Sequence, residues 1–278
     1  MVVISEPSDI FPIIITVTEE PLLINPFIGK VIASIHSDIK KIYIVKGSVM
    51  GKKSFSEKIN YLITIVLISN PVALVNRFFI VFSFIIFNHL SSDASKNPFS
   101  VAYTAKKYQI PVVFVNEINS ESFLEKLKND KPVVIINQAQ VILSEKFLSI
   151  PQIGSLNRHC GLLPKYRGRL APFWTYVMRE KESGVSIHFI DKEIDNGPIL
   201  VQKKVPIERF DTFDSLLAKD FHIAPDAMVE AIGLIKSGEY VKQLIPNEKQ
   251  FSSYYSSPKI MDALTYRKIM LKKWLFNE

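Results

Sequence analysis

A single cysteine in 278 residues excludes an intrachain disulfide and a cysteine-based zinc cluster. Glycine is scarce too, ten in all, and no G-x-G-x-x-G follows the first strand-like run, which leaves a nicotinamide-binding reading without support. The opening MVVISEPSDIF has no basic segment before a long apolar core, so no secretory signal is expected. No histidine, cysteine or acidic cluster has metal-ligand spacing, and no metal is expected. Charge is missing over one long stretch. From Ile59 to Leu90 the only formally charged residue is Arg77. Within it, Val72 to Leu90 comes near the length of a transmembrane helix, although Pro71 and Arg77 argue against one clean span. Three readings compete for 59–90: a helical insertion packed on the domain or on a dimer partner, an interfacial membrane anchor, and a true span.

What glycine there is clusters. Gly154, Gly161, Gly168, Gly184 and Gly197, half of the total, fall within 44 residues, as expected where backbone turns sharply or approaches a ligand. Asn157 and His159 lie two apart in the extended segment SLNRHC and would face one site together. Asp195 follows a second strand-like run, VSIHFI, which a sheet could bring beside them. A carboxamide, an imidazole and a carboxylate suit acyl transfer to an amine: an amide N–H to stabilise an oxyanion, a histidine to handle a proton, and an aspartate to tune it. Cys160 would point the other way and reads as a buried structural thiol. His188, on the strand before Asp195, reads as a core histidine with scope for an indirect role. His36, His89 and His222 read as structural, and Trp174 and Tyr176 as core.

Around this segment the apolar pattern predicts strands at 13–17, 42–45 (closing at Gly47), 112–115, 133–137 and 198–207. Helices are predicted from Asn25 as N-cap with Pro26 at the first helical position, and over 98–108, 120–128, 142–148 and 172–182. A longer one should run from an Asp211-Thr212 cap to Ser237, broken before Pro225 and stopped by Gly238. The strand–helix–strand rhythm predicts an α/β fold, a Rossmann-like mostly parallel sheet with flanking helices and a hydrophobic helical insertion at about 50–92.

NRHCGLLPKYRG resembles the N-x-H-x-S-L-L-P-x-Y-R-G signature of the 10-formyltetrahydrofolate-dependent formyltransferases. GVSIHFIDKEIDNGPILVQ resembles their second signature, with its aspartate before x-G-x-I. The resemblance implies the formyltransferase fold, 10-formyltetrahydrofolate as co-substrate and Asn157, His159 and Asp195 as catalytic residues. It also implies Leu162, Leu163 and Pro164 as apolar wall beside the folate, with Arg167 and Gly168 shaping the loop or meeting an anionic group. Gly161 stands where the family usually has serine, and Asn137-Gln138-Ala139-Gln140 replaces a glycine-containing stretch, so no role is carried over there.

The net charge of +7 favours anionic partners, yet lysines are spread along the chain and nucleic acid is not expected. Residues 1–245 are expected to form the catalytic domain and 246–278 a short extension, too short for the β-domain with which methionyl-tRNA formyltransferases grip tRNA. The expected acceptor is therefore an amine on a nucleotide-linked amino sugar or surface-glycan precursor. Methionyl-tRNA, glycinamide ribonucleotide, hydrolysis of the folate, and a non-catalytic folate-binding descendant are the alternatives. The expected location is the cytoplasm, with peripheral contact at the inner membrane face through 59–90 and a homodimer as further options.

Overall fold

The computed structural model describes residues 11–46 and 54–276; the predicted stop at Gly47 lies outside them. The β-branched run IIITV forms β1 (Ile13–Val17), buried along its whole length. Helix α1 (Ile24–Ile35) follows. Asn25 is not its cap. The Glu20 carboxylate accepts the N–H groups of Leu22, Leu23 and Ile24, a longer-armed substitute at the positive helix end. Asn25 sits in the first turn and ties it to the carbonyl of Phe99. Strand β2 (Ile39–Val45) begins three residues earlier than the apolar pattern suggested.

The uncharged stretch forms α2 (Phe55–Ile68), opened by a Ser54–Glu57 capping box, and α3 (Pro71–Leu90). Pro71 starts α3 rather than interrupting it, because a first-turn residue needs no N–H partner. Arg77 pairs with Asp214 at 2.6 Å, and Asn97 donates to the carbonyl of Phe84. Helix α3 is thus tied to the domain near both ends, while its outer side is exposed and none of its residues is buried.

Helix α4 (Val101–Lys107), capped by Ser100, starts later than predicted. Strand β3 (Val112–Val115), α5 (Glu121–Asp130), β4 (Val134–Gln138), α6 (Glu145–Leu148) and β5 (Gly154–His159) complete the alternating half. After the two-residue β6 (Arg167–Gly168), α7 (Ala171–Val177) is shorter than the 172–182 expected, since Glu182 already belongs to the next strand. β7 (Glu182–Phe189) and β8 (Ile199–Pro206) form a hairpin-like pair. Helix α8 (Phe213–Ser237) runs on through Pro225 without the predicted break. Ala224 and Pro225 are buried in its packing face, and tertiary packing overrides the lost hydrogen bond. Short α9 (Tyr240–Gln243) and β9 (Tyr254–Tyr255) lead to α10 (Ile260–Phe276), which packs on α2 and α7.

The seven-stranded sheet has the order β3-β2-β1-β4-β5-β7-β8. The first five strands are parallel, and β7 and β8 are antiparallel additions at one edge. Helices α1, α4 and α8 cover one face through a core containing Phe27, Val31, Met228 and Ile232, while α5 covers the other through Phe123, Leu124 and Leu127. The order of strand addition reverses between the parallel neighbours β1 and β4, the place where open parallel sheets form a crevice at their carboxyl ends.

Candidate active site

Strand β5 leaves the sheet beside that crevice, and its alternation puts Asn157 and His159 on the same side. Antiparallel pairing with β7 sets Asn157 opposite His188. The loop after β7 then returns Asp195 to the pair. Asn157 Nδ2 lies 3.4 Å from Asp195 Oδ1, and His159 Nδ1 lies 3.4 Å from Asp195 Oδ2. The three residues singled out from sequence therefore form one cluster, and His159 is buried within it.

Asp195 adopts a left-handed φ of 50°, an uncommon setting for a non-glycine residue. Three neighbours hold it there, one of them Asn247, which donates to the Asp195 carbonyl at 3.0 Å. The Gly168 N–H donates to Asp195 Oδ2 at 2.9 Å, and Arg167 donates through Nε and Nη2 to the carbonyl of Ile194 at 2.9 and 2.6 Å. Gly168 itself has φ 98°, and a Cβ there would lie 2.2 Å from the carbonyl oxygen of Tyr255, so only glycine fits. Arg167 and Gly168 thus act on the aspartate loop. Leu163 is buried, with its N–H given to Ser186 Oγ and its carbonyl taken by Gln202, while Leu162 and Pro164 are half-buried.

Burial opposes ionisation of Asp195, but His159, His188 and the Gly168 N–H outweigh it and hold the carboxyl well below the usual carboxylate range. Burial lowers the pKa of His159, partly offset by the Asp195 charge. His159 Nε2 is 2.8 Å from the carbonyl of Tyr166. A neutral ring has one N–H, and this contact claims it; Nδ1 then faces the carboxylate with its lone pair. Protonation of Nδ1 would complete the second hydrogen bond, so the ring sits between two acceptors that both stabilise an imidazolium.

His188 belongs to the cluster as well. Its Nδ1–H donates to the carbonyl of Phe189 at 2.8 Å, leaving Nε2 to accept Asn157 Nδ2–H at 3.2 Å. The strand pairing that brings it there was visible only as a lone histidine on an apolar run. Cys160 points away as expected, and burial pushes its thiol up to about 12, far from a nucleophile at neutral pH. Among the described residues no group of histidine, cysteine and acidic side chains could hold a metal ion.

An uncharged amide donor, a proton-accepting imidazole and a fixed carboxylate, set at the carboxyl ends of parallel strands, can stabilise an oxyanion and move a proton beside it. The apolar turn after β4, with Val141 38% and Ile142 80% exposed, lies at the same end of the sheet.

The sequence profile of the formyl transferase family matches residues 89–232. Methionyl-tRNA formyltransferase of Thermotoga maritima is 35% identical over 142 residues, 51% of this chain and 45% of that protein. The bifunctional polymyxin resistance protein ArnA of Wigglesworthia glossinidia brevipalpis is 34% identical over 182 residues, 64% of this chain and 28% of that one. The chain spans about half or less of the length of these curated relatives. Among solved structures, phosphoribosylglycinamide formyltransferase of Anaplasma phagocytophilum superimposes with a TM-score of 0.58 at 16% identity, over 90% of this chain and all of that one. The N-formyltransferase of Helicobacter canadensis, solved with folinic acid and dTDP-3-aminofucose, gives 0.56 at 17% identity, over 94% of this chain and 81% of that one. At such identities the superpositions speak for the fold. The profile covers just over half of the residues and takes in Asn157, His159 and Asp195, and on that match the chain belongs to the formyl transferase family.

Proposed function

We propose that the protein transfers a formyl group from 10-formyltetrahydrofolate to a primary amine. The observation that carries this reading is the convergence of Asn157, His159 and an ionised, buried Asp195 at the carboxyl end of the sheet. The folate supplies an activated one-carbon group, so no serine or cysteine need be acylated. An amine attacks the formyl carbon, and the negative charge that develops on oxygen is met by an Asn157 N–H. Both contacts that its N–H groups now make, at 3.2 and 3.4 Å, lie at or beyond the long end of hydrogen bonding and are exchangeable for a stronger acceptor. His159 takes the proton lost by the amine at Nδ1, where Asp195 and the Tyr166 carbonyl hold the imidazolium, and the departing folate nitrogen recovers it. The domain 1–245 carries this chemistry, with 246–278 as an extension.

For the acceptor we infer an amino sugar linked to a nucleotide, in the cytoplasm, the class of molecule present in the Helicobacter canadensis structure. Methionyl-tRNA is the second reading, favoured by sequence likeness to methionyl-tRNA formyltransferases. Release of tetrahydrofolate, followed by absorbance with each amine, tests the reaction. Asn157→Ala, His159→Ala and Asp195→Ala should each slow it on the order of 10²-fold. A folded variant that turns over like wild type removes that residue from the mechanism.

The exposed side of α3 belongs to the same picture, and we infer that it rests on an anionic bilayer. Val75, Phe78, Phe79, Phe82 and Ile86 line it without a charge among them. Beside it, Arg267 of α10 donates to the carbonyls of Leu67 and Ser69 at the α2–α3 junction. The same helix carries Lys272 next to the exposed Trp274 and Leu275, the basic–aromatic pairing of interfacial helices. The protein should float with vesicles of phosphatidylglycerol and phosphatidylcholine. A stable dimer that ignores vesicles would assign this face to a second copy instead.

A further inference from the structure

Strand β4 ends in Gln138, buried between the two faces of the sheet. Its carboxamide is fully committed. Nε2 donates to the carbonyl of Asn137 at 2.7 Å and to Asn157 Oδ1 at 3.0 Å. Oε1 accepts from Arg158 Nε at 3.2 Å and Nη2 at 3.0 Å. Arg158 precedes His159 on β5 and projects to the opposite face from Asn157. There its guanidinium lies 4.1 Å from the ring centre of Phe221 and 5.2 Å from that of Phe27, with Nη1 against Cys160 Sγ at 2.7 Å.

A carboxamide can turn over, exchanging oxygen for nitrogen at almost no steric cost, so its orientation is set by its partners. A guanidinium has donors only and is never neutral in a protein. It therefore demands oxygen from Gln138. Turned over, Gln138 would set N–H against N–H at Arg158, and oxygen against oxygen at the Asn137 carbonyl and at Asn157. The same logic passes to Asn157: with Gln138 N–H on one side, it must present Oδ1 there and both N–H groups toward His188 and Asp195.

We propose that Gln138 and Arg158 are positioning residues for formyl transfer: the guanidinium fixes the Gln138 carboxamide, which in turn aims the Asn157 N–H groups into the reaction site. This rests on the formyl-transfer reading above and adds to it a control from the far face of the sheet. It also gives a role to the Asn137–Gln140 stretch, which motif comparison left without one.

Gln138→Glu keeps the shape and the acceptor for Arg158 but loses the donor to Asn157, so Asn157 is expected to turn over and offer oxygen where it offered nitrogen. The expected result is a fall in kcat of roughly 10-fold or more, with KM for the folate within about 3-fold; the thermal midpoint falls as well, because the second carboxylate oxygen then faces the Asn137 carbonyl. In the Asn157→Ala background the same substitution should do almost nothing further, because its target is gone. Arg158→Met, which frees Gln138 to turn, should lower kcat in the same way. An activity-independent readout separates this proposal from the reaction itself: the side-chain amide signals of Asn157 in a proton–nitrogen NMR spectrum, assigned by their loss in Asn157→Ala. They should shift in both Gln138→Glu and Arg158→Met. Unshifted signals overturn the relay whatever the activity, and equal loss of kcat with and without Asn157 overturns it too. Shifted signals in a protein that turns over no formyl donor would keep the relay and refute the reaction.

Discussion

Gly161 stands where the signature the chain resembles has serine, and the space around it is already filled. A Cβ built on Gly161 would lie 2.8 Å from His159 Nε2, 2.8 Å from Ala171 Cβ and 3.0 Å from His159 Cδ2. Ordinary carbon contacts begin near 3.5 Å, so the two neighbours would each have to retreat by about 0.7 Å. Ala171 is fixed in the first turn of α7, and the imidazole is the group that can move. Moving it breaks the 2.8 Å contact between Nε2 and the Tyr166 carbonyl. Overpacking costs about 1–3 kcal/mol and the lost hydrogen bond about 1 kcal/mol, together about 2–4 kcal/mol. In a protein of this size that lowers the melting temperature by roughly 3–7 °C. Gly161→Ala and Gly161→Ser should behave alike, since the Cβ is common to both, and both should reduce kcat by displacing His159. Circular-dichroism melts and initial rates measure the two effects. A Gly161→Ser variant that melts like wild type and turns over as fast would show that the His159 ring does not occupy this space, and the tautomer argument would fall with it.

Two further predictions concern pH. Burial pushes the Asp220 carboxyl up to about 7, with Ser183 donating to one oxygen and the other buried without a partner. Between the unfolded value near 4 and 7, the folded state keeps a proton that the unfolded state has lost. Stability should therefore fall with rising pH by about 1.4 kcal/mol per unit, of the order of 4 kcal/mol in total. Asp220→Asn should match wild type in urea melts at pH 4 and exceed it at pH 8; parallel curves would refute this. His159, with its pKa lowered by burial, should give kcat/KM an acid limb with its midpoint below the ordinary histidine value near 6.5. The Asp195 charge works against that lowering, so Asp195→Asn should move the limb to still lower pH in addition to slowing turnover. A limb that stays in place would remove the coupling.

Much of this was legible in the residues. β-branched runs such as IIITV mark buried strands because nothing else in the chain competes for those positions, and two-residue spacing correctly paired Asn157 with His159. What could not be read depended on long-range partners. Glu20 replaces Asn25 at the start of α1 because a carboxylate from the preceding loop reaches the helix end, and Pro225 stays inside α8 because that helix is held by the sheet beneath it. His188 and Gln138 enter the site through strand pairing and register, to which neither composition nor spacing gives access. Arg167 and Gly168, expected to shape the loop or meet an anionic group, hold the strained Asp195 loop through hydrogen bonds to Ile194 and Asp195.

The measurement that bears most directly on the central claim is mass spectrometry of acceptor amines after incubation with 10-formyltetrahydrofolate. The panel would hold amino-sugar nucleotides, glycinamide ribonucleotide and methionyl-tRNA, each with wild type and with Asn157→Ala. The account predicts a 28 Da gain of about one formyl group on an amino-sugar nucleotide, with tetrahydrofolate released in step and a loss on the order of 10²-fold in the variant. Folate bound without formyl product in any lane, or product formed equally well by Asn157→Ala, would contradict it.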